Sequence, residues 1–154
     1  MNHYREDYNL KSNIQYTMEI KISDKYSKNF SVTAEMIEGF AMVTGDKNPV
    51  HLDEKYAENT IFKSRIAHGF LVGSFISAVL GNDFPGNGTI YVSQNLKFLK
   101  PVFIGDMIQV HVEVTEITDK DWLVLKTECF NQNGKAVLVG EATVIPPVGA
   151  NIIH

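Results

Sequence analysis

The chain has 154 residues, 44% hydrophobic and 21% charged, enough for one domain with its own core. Its net charge of −4 and the lack of any block of like charge argue against a nucleic-acid partner. No apolar run approaches the roughly 20 residues that span a bilayer. The start, Met1 to Asp7, has no apolar stretch of the signal-peptide kind. The single cysteine, Cys129, excludes an intramolecular disulfide and suits a reducing, cytoplasmic setting.

Residues 1–13 are polar and read as a lead-in, 14–147 as one domain, and 148–154 as a tail. Tyr16, Met18, Ile20 and Ile22 alternate with polar residues, which predicts a half-buried strand. Thr33 then stands as N-cap, with Glu35 in the first turn, of a helix carrying Met36, Ile37, Phe40 and Val43 on one side. Gly45 is its stop. Asp53 caps a short helix over residues 54–59. After Lys63 and Arg65 a second helix starts at Gly69 and stops at Gly81; it is apolar nearly all round, which predicts burial. Residues 81–88 are turn chemistry. Four strands follow, over residues 89–99, 107–118, 122–130 and 136–145, the last two joined by the hairpin loop Asn131-Gln132-Asn133-Gly134. Pro146-Pro147 ends the series. This order predicts an α+β domain, with a sheet curled around the apolar helix and edge strands that dimerisation would cover.

The segment Gly45-Asp46-Lys47-Asn48-Pro49-Val50-His51 carries the chemistry. In one unbroken helix, five residues would turn Asp46 and His51 apart by roughly 140°. Pro49 forbids that helix and pushes Asn48 toward extended geometry. The two side chains are therefore expected to converge on a loop, the arrangement that acid–base chemistry on a bound water needs. Asn48 would hold the loop in shape. Asp46, His51, Asp53 and His68 show no HxH or HExxH spacing, so no metal is expected. His68 reads as a packing or hydrogen-bonding histidine. The glycines at 81–88 do not form a nucleotide loop.

Phe40, Gly45, Asp46, Asn48, Pro49, Val50, His51 and Ala57 together resemble the signature of the MaoC-like, R-specific enoyl-CoA hydratases. The resemblance continues through Ala67-His68-Gly69-Phe70-Leu71, Gly88 to Tyr91, Phe98 to Val102, Gly105-Asp106 and Gly140-Glu141-Ala142, covering about residues 30–145. It implies a hot-dog fold, an antiparallel sheet wrapped around one long helix, usually as a homodimer or higher oligomer. The implied reaction is reversible addition of water to a trans-2-enoyl-CoA, giving an (R)-3-hydroxyacyl-CoA. Asp46 and His51 would activate the water, with Asp46 as principal base, and the Gly69 N–H would stabilise the thioester oxyanion. Ser77 is the family-like position for a hydroxyl near the site. Lys63 and Arg65 are candidates to meet coenzyme A phosphates, against a plain solvated loop. No cofactor is implied beyond the coenzyme A of the substrate. Rival readings on the same fold are an acyl-CoA thioesterase, a 3-hydroxyacyl dehydratase using acyl carrier protein, and a non-catalytic acyl-CoA binder.

Overall fold

The computed structural model describes residues 18–154. The expected lead-in, and Tyr16 at the start of the first predicted strand, lie outside those residues. The first expected strand contains β1 (Glu19–Lys21), which ends in a turn where Ser23 takes φ 73°; a strand not expected, β2 (Lys25–Ser31), follows. The sequence reading missed β2 because only Tyr26 and Phe30 of its seven residues lean toward the core. It is an edge strand, and most of its side chains face water.

Among the described residues three helices precede the central one: α1 (Ala34–Thr44), α2 (Pro49–Leu52) and α3 (Glu54–Glu58). The expected caps are present. Thr33 Oγ1 accepts from Met36 N at 3.2 Å, and Asp53 Oδ1 accepts from Tyr56 N at 3.0 Å. α4 (Gly69–Asn82) is the long helix, running one residue past Gly81. Then come β3 (Ile90–Phe98), β4 (Met107–Ile117), β5 (Leu123–Phe130) and β6 (Ala136–Ile145). The last expected strand is matched residue for residue.

β2–β4–β5–β6–β3 form one antiparallel sheet in that order, packed on α4. Ile108, Val110, Val112 and Val114 alternate inward along β4 and are fully buried, which is the period-two pattern of a strand with one dry face. Leu123 and Leu125 of β5 and Leu138, Ala142 and Val144 of β6 extend that face. They meet Leu71, Val72, Phe75, Ile76, Val79 and Leu80 of α4 in a single core cluster. Phe75 stacks on Phe30 with ring centroids 4.5 Å apart.

The expectation that α4 is buried all round needs correcting. The sheet covers only one side of it. Phe70, Ser74 and Ser77 on the other side are exposed, beside an edge strand, β3, that also exposes Ile90, Tyr91, Val92 and Phe98. An apolar side of α4 is thus left uncovered by the described residues. Residues 148–154, set apart from the domain in the sequence reading, contain β7 (Asn151–Ile153), which pairs in parallel with β1 through Ile20↔Ile152. Among the described residues, no helix is long and apolar enough to cross a membrane.

Candidate active site

The site starts where α1 stops. Gly45 sits at φ 79°, a left-handed conformation that glycine adopts without strain, and its N–H closes the helix on Ala41 O. Thr44 Oγ1 donates back to Phe40 O at 2.7 Å and accepts from Asp46 N at 3.2 Å. Asp46 is thereby launched out of the helix, and its Oδ1 accepts from Asn48 N at 3.3 Å. Asn48 is extended (φ −55°, ψ 124°), as the following proline demands.

Here the structure departs from a simple loop. Pro49 begins a new turn of helix, α2, because its fixed φ and missing N–H suit the first helical position. Asn48 caps that turn, its Oδ1 accepting from Val50 N at 3.2 Å. His51 lies on this turn rather than on the loop.

His51 is 9% exposed and held from two directions. Its Nδ1 is 2.8 Å from Ile66 O, and Arg65 Nε donates to its backbone O at 2.6 Å. A carbonyl can only accept, so Nδ1 carries the ring proton and Nε2 is left as a bare acceptor. Burial lowers the His51 pKa from its ordinary 6.5, and the neighbouring His68 adds to this; the Ile66 bond and Asp46 oppose it.

His68 completes the cluster. It is 1% exposed, with Nε2 2.9 Å from Asp46 O. Its ring stacks on His51 at 3.9 Å and tilts against Phe40 at 4.8 Å. One ligand-type atom from each of Asp46, His51 and His68 lies within 4.8 Å of the others. The set has the composition of a metal site. The two rings meet at 29°, and Ile66 O and Asp46 O already engage one nitrogen of each. The spacing also suits a water. Two acceptors about 2.8 Å from one water oxygen, at a tetrahedral angle, stand about 4.6 Å apart.

Gly69 follows His68 as the first residue of α4. Leu71 N and Val72 N both turn back to His68 O, and the first N–H groups of a helix have no internal acceptor. Gly69 and His51 line one cleft of about 480 Å³, walled by Phe62, Val72, Phe98, Val102 and Leu138, with Lys100 at its edge. A side chain at Gly69 would push the Phe98 ring aside: an added Cβ would stand 2.7 Å from Phe98 Cε1.

Asp46 and His51 are brought within 4.8 Å of each other, and His51 shares its cleft with Gly69; Asp46 is not among the residues that line that cleft. Ser77 is not part of that group. It lines a second cleft, of about 460 Å³, with Ser74, Tyr91, Gln94 and Leu96, divided from the first by Phe70 and Phe98, which line both. Arg65 turns inward toward His51, with Nη2 3.7 Å from Glu38, and is not displayed to a ligand. Lys63 is exposed on a turn at φ 63°. The sequence reading missed Lys100, the cleft walls and the support from Arg65. The walls come from pairings distant in sequence, such as Leu99 N to Val137 O, and leave no local signal.

Comparison with known proteins agrees with this architecture. A family model described as MaoC like domain matches residues 16–132. The chain is 44% identical over 135 residues to an (R)-specific enoyl-CoA hydratase of Rhodospirillum rubrum, covering 87% of this chain and 93% of the relative. It is 43% identical over 131 residues to a 3-hydroxybutyryl-CoA dehydratase of Methylorubrum extorquens, covering 84% and 82%. Among solved structures, the unliganded R-hydratase PhaJ1 of Pseudomonas aeruginosa matches with a TM-score of 0.81 at 44% identity, over 83% of each chain. The chain belongs to the MaoC-like domain family, with the hot-dog fold and the hydro-lyase class of those relatives.

Proposed function

We propose that the protein is an (R)-specific enoyl-CoA hydratase, adding water reversibly to a trans-2-enoyl-CoA to give the (R)-3-hydroxyacyl-CoA. The observation that carries this reading is the approach of Asp46 to His51 within 4.8 Å, with His51 sharing a cleft with the start of α4. Relatives at 43–44% identity bear hydratase and dehydratase names.

In this mechanism one water donates a hydrogen to the Asp46 carboxylate and the other to the bare His51 Nε2. Its lone pair is then directed at C3. As the C3–O bond forms, the π electrons move through C2 onto the thioester oxygen, which accepts from the Gly69 N–H. The proton that one acceptor has taken is returned to C2 on the same face. Acid–base assistance of this kind is worth about 10²–10⁴-fold, and an oxyanion donor about 10²–10³-fold. Asp46 is taken as principal base and His51 as its partner.

Asn48 acts in this reading by fixing the approach to His51, and Arg65 by holding its backbone. Lys63 is the candidate for the coenzyme A phosphates. Ser77 would contact an acyl chain only where the chain passes Phe98. No cofactor is required, since coenzyme A arrives as part of the substrate. A homodimer is proposed on the exposed apolar edge of β3 and the uncovered side of α4. Action in the cytoplasm accords with a lone, buried cysteine.

The test is a chain-length series of trans-2-enoyl-CoAs, crotonyl-CoA first, with chiral analysis of the product. Loss of the enoyl absorbance without thiol release, giving the R alcohol, is expected. Thiol release with the enoyl group intact would point to a thioesterase, and an S product would remove the reading. A strong preference for carrier-protein thioesters would move the substrate to that carrier.

A further inference from the structure

His68 lies outside the mechanism above, yet it is among the most deeply buried polar side chains described. It holds the N-cap position of α4, where Ser, Thr, Asp or Asn usually donate a side-chain acceptor to the helix. His68 makes no such cap bond. Its ring crosses a gap of 22 residues in sequence, and Nε2 donates to Asp46 O at 2.9 Å. Because a carbonyl only accepts, Nε2 carries the proton. The other nitrogen, Nδ1, is buried and has no partner among the described residues. An apolar side chain of similar size would fill the same space between His51 and Phe40 without leaving a polar atom orphaned. The imidazole is therefore explained by what Nε2 does, not by packing alone.

We infer that His68 is a positioning residue for the reaction, tying the loop that bears Asp46 to the helix start that bears the Gly69 N–H. Asp46, His51 and Gly69 move as a unit, because the His68 ring contacts the first two and its backbone adjoins the third. The tie matters most in the transition state, where the carboxylate at one end and the developing oxyanion at the other must both be in place. Its loss should lower kcat and leave KM nearly unchanged.

This inference rests on the hydratase reading. The test compares three variants with the wild-type protein on crotonyl-CoA. Gln carries an amide N–H at about the reach of Nε2; Asn stops short of it; Leu removes it. His68→Asn and His68→Leu are expected to lose about 10²-fold in kcat, the scale of a 1 Å misplacement, with KM within a few-fold. His68→Gln should recover most of kcat. If His68→Leu fails to fold, the Gln and Asn pair carries the same comparison. Wild-type kcat in His68→Asn, or equal loss in the Asn and Gln variants, would overturn the assignment. Amide exchange over residues 45–51 supplies a readout independent of turnover. Faster exchange in His68→Asn than in His68→Gln supports the tie, and equal exchange refutes it. If the wild-type protein turned over no enoyl thioester, the hydratase reading would fail alone, and exchange would still decide the role of His68.

Discussion

Replacing Asp46 by Asn changes one oxygen for one nitrogen and leaves the fold's use of the residue intact. Asp46 N still donates to Thr44 Oγ1, Asp46 O still accepts from His68, and an amide oxygen can still accept from Asn48 N. The side chain is exposed, so the substitution should alter stability by no more than about 0.5 kcal/mol. What disappears is the capacity to accept a proton. General base assistance of about 10²–10⁴-fold corresponds, at about 1.36 kcal/mol per decade, to roughly 2.7–5.4 kcal/mol of barrier. The expected result in a crotonyl-CoA hydration assay is a loss of kcat in that range with an unchanged melting temperature. His51→Ala should give a similar loss. If both groups hold the same water, the double variant should fall little below the worse single one, as residues acting as a unit do. Retention of more than about a tenth of wild-type kcat in Asp46→Asn would refute a base role. Losses that multiply in the double variant would refute the shared water.

Three further outcomes follow from the same geometry. Gly69→Ala keeps the N–H but drives a Cβ to 2.7 Å from the half-exposed Phe98 ring, so the ring must swing aside; kcat/KM should fall about 10-fold, and adding Phe98→Leu should restore much of it. Failure of Phe98→Leu to rescue would show that crowding is not the cause. Because burial lowers the His51 pKa, its Nε2 stays free of a proton below pH 6.5, so the acid limb of a kcat/KM profile should lie below 6.5. The unfolded chain takes up that proton at higher pH than the folded one, so His51 also lowers stability as pH falls through and below 6.5; an acid limb at or above 6.5 would contradict this. Asn48→Ala removes the Oδ1 that caps α2 and should cost about 0.5–2 kcal/mol in urea unfolding, with lowered kcat because His51 rides on that turn.

How much of this was legible in the sequence differs from element to element. α1 was readable because its cap, its apolar spacing and its Gly45 stop agree. β4, β5 and β6 were readable because the inner face of a half-buried strand repeats every two residues. β2 was not: an edge strand whose seven residues bury only parts of Tyr26 and Phe30 has almost no periodicity to display. β7 was hidden for a related reason. Three residues pairing with three others at the far end of the chain are set by tertiary contact alone. In α4, apolar composition predicts burial on every side, but a single sheet face covers only one side and leaves Phe70, Ser74 and Ser77 exposed.

The site shows the same division more sharply. Asp46, Asn48, Pro49 and His51 announce themselves because a proline-broken carboxylate–histidine pair is a local pattern. The groups that make the pair usable are distant in sequence. Ile66 O sets the His51 tautomer, Arg65 pins the His51 backbone, and His68 reaches back to Asp46. All three lie within four residues of the start of α4, on the segment leading from the small helices into the core helix. That placement is economical physically. A helix packed on the core opens less readily than an exposed loop such as residues 45–48. Anchoring the turn to the residues just ahead of the helix lends it that stiffness at three points. It also fixes the turn against the helix end whose first residue, Gly69, lines the same cleft as His51. The motif in the sequence thus names the groups proposed to react, while the segment from Arg65 to Gly69 accounts for their geometry.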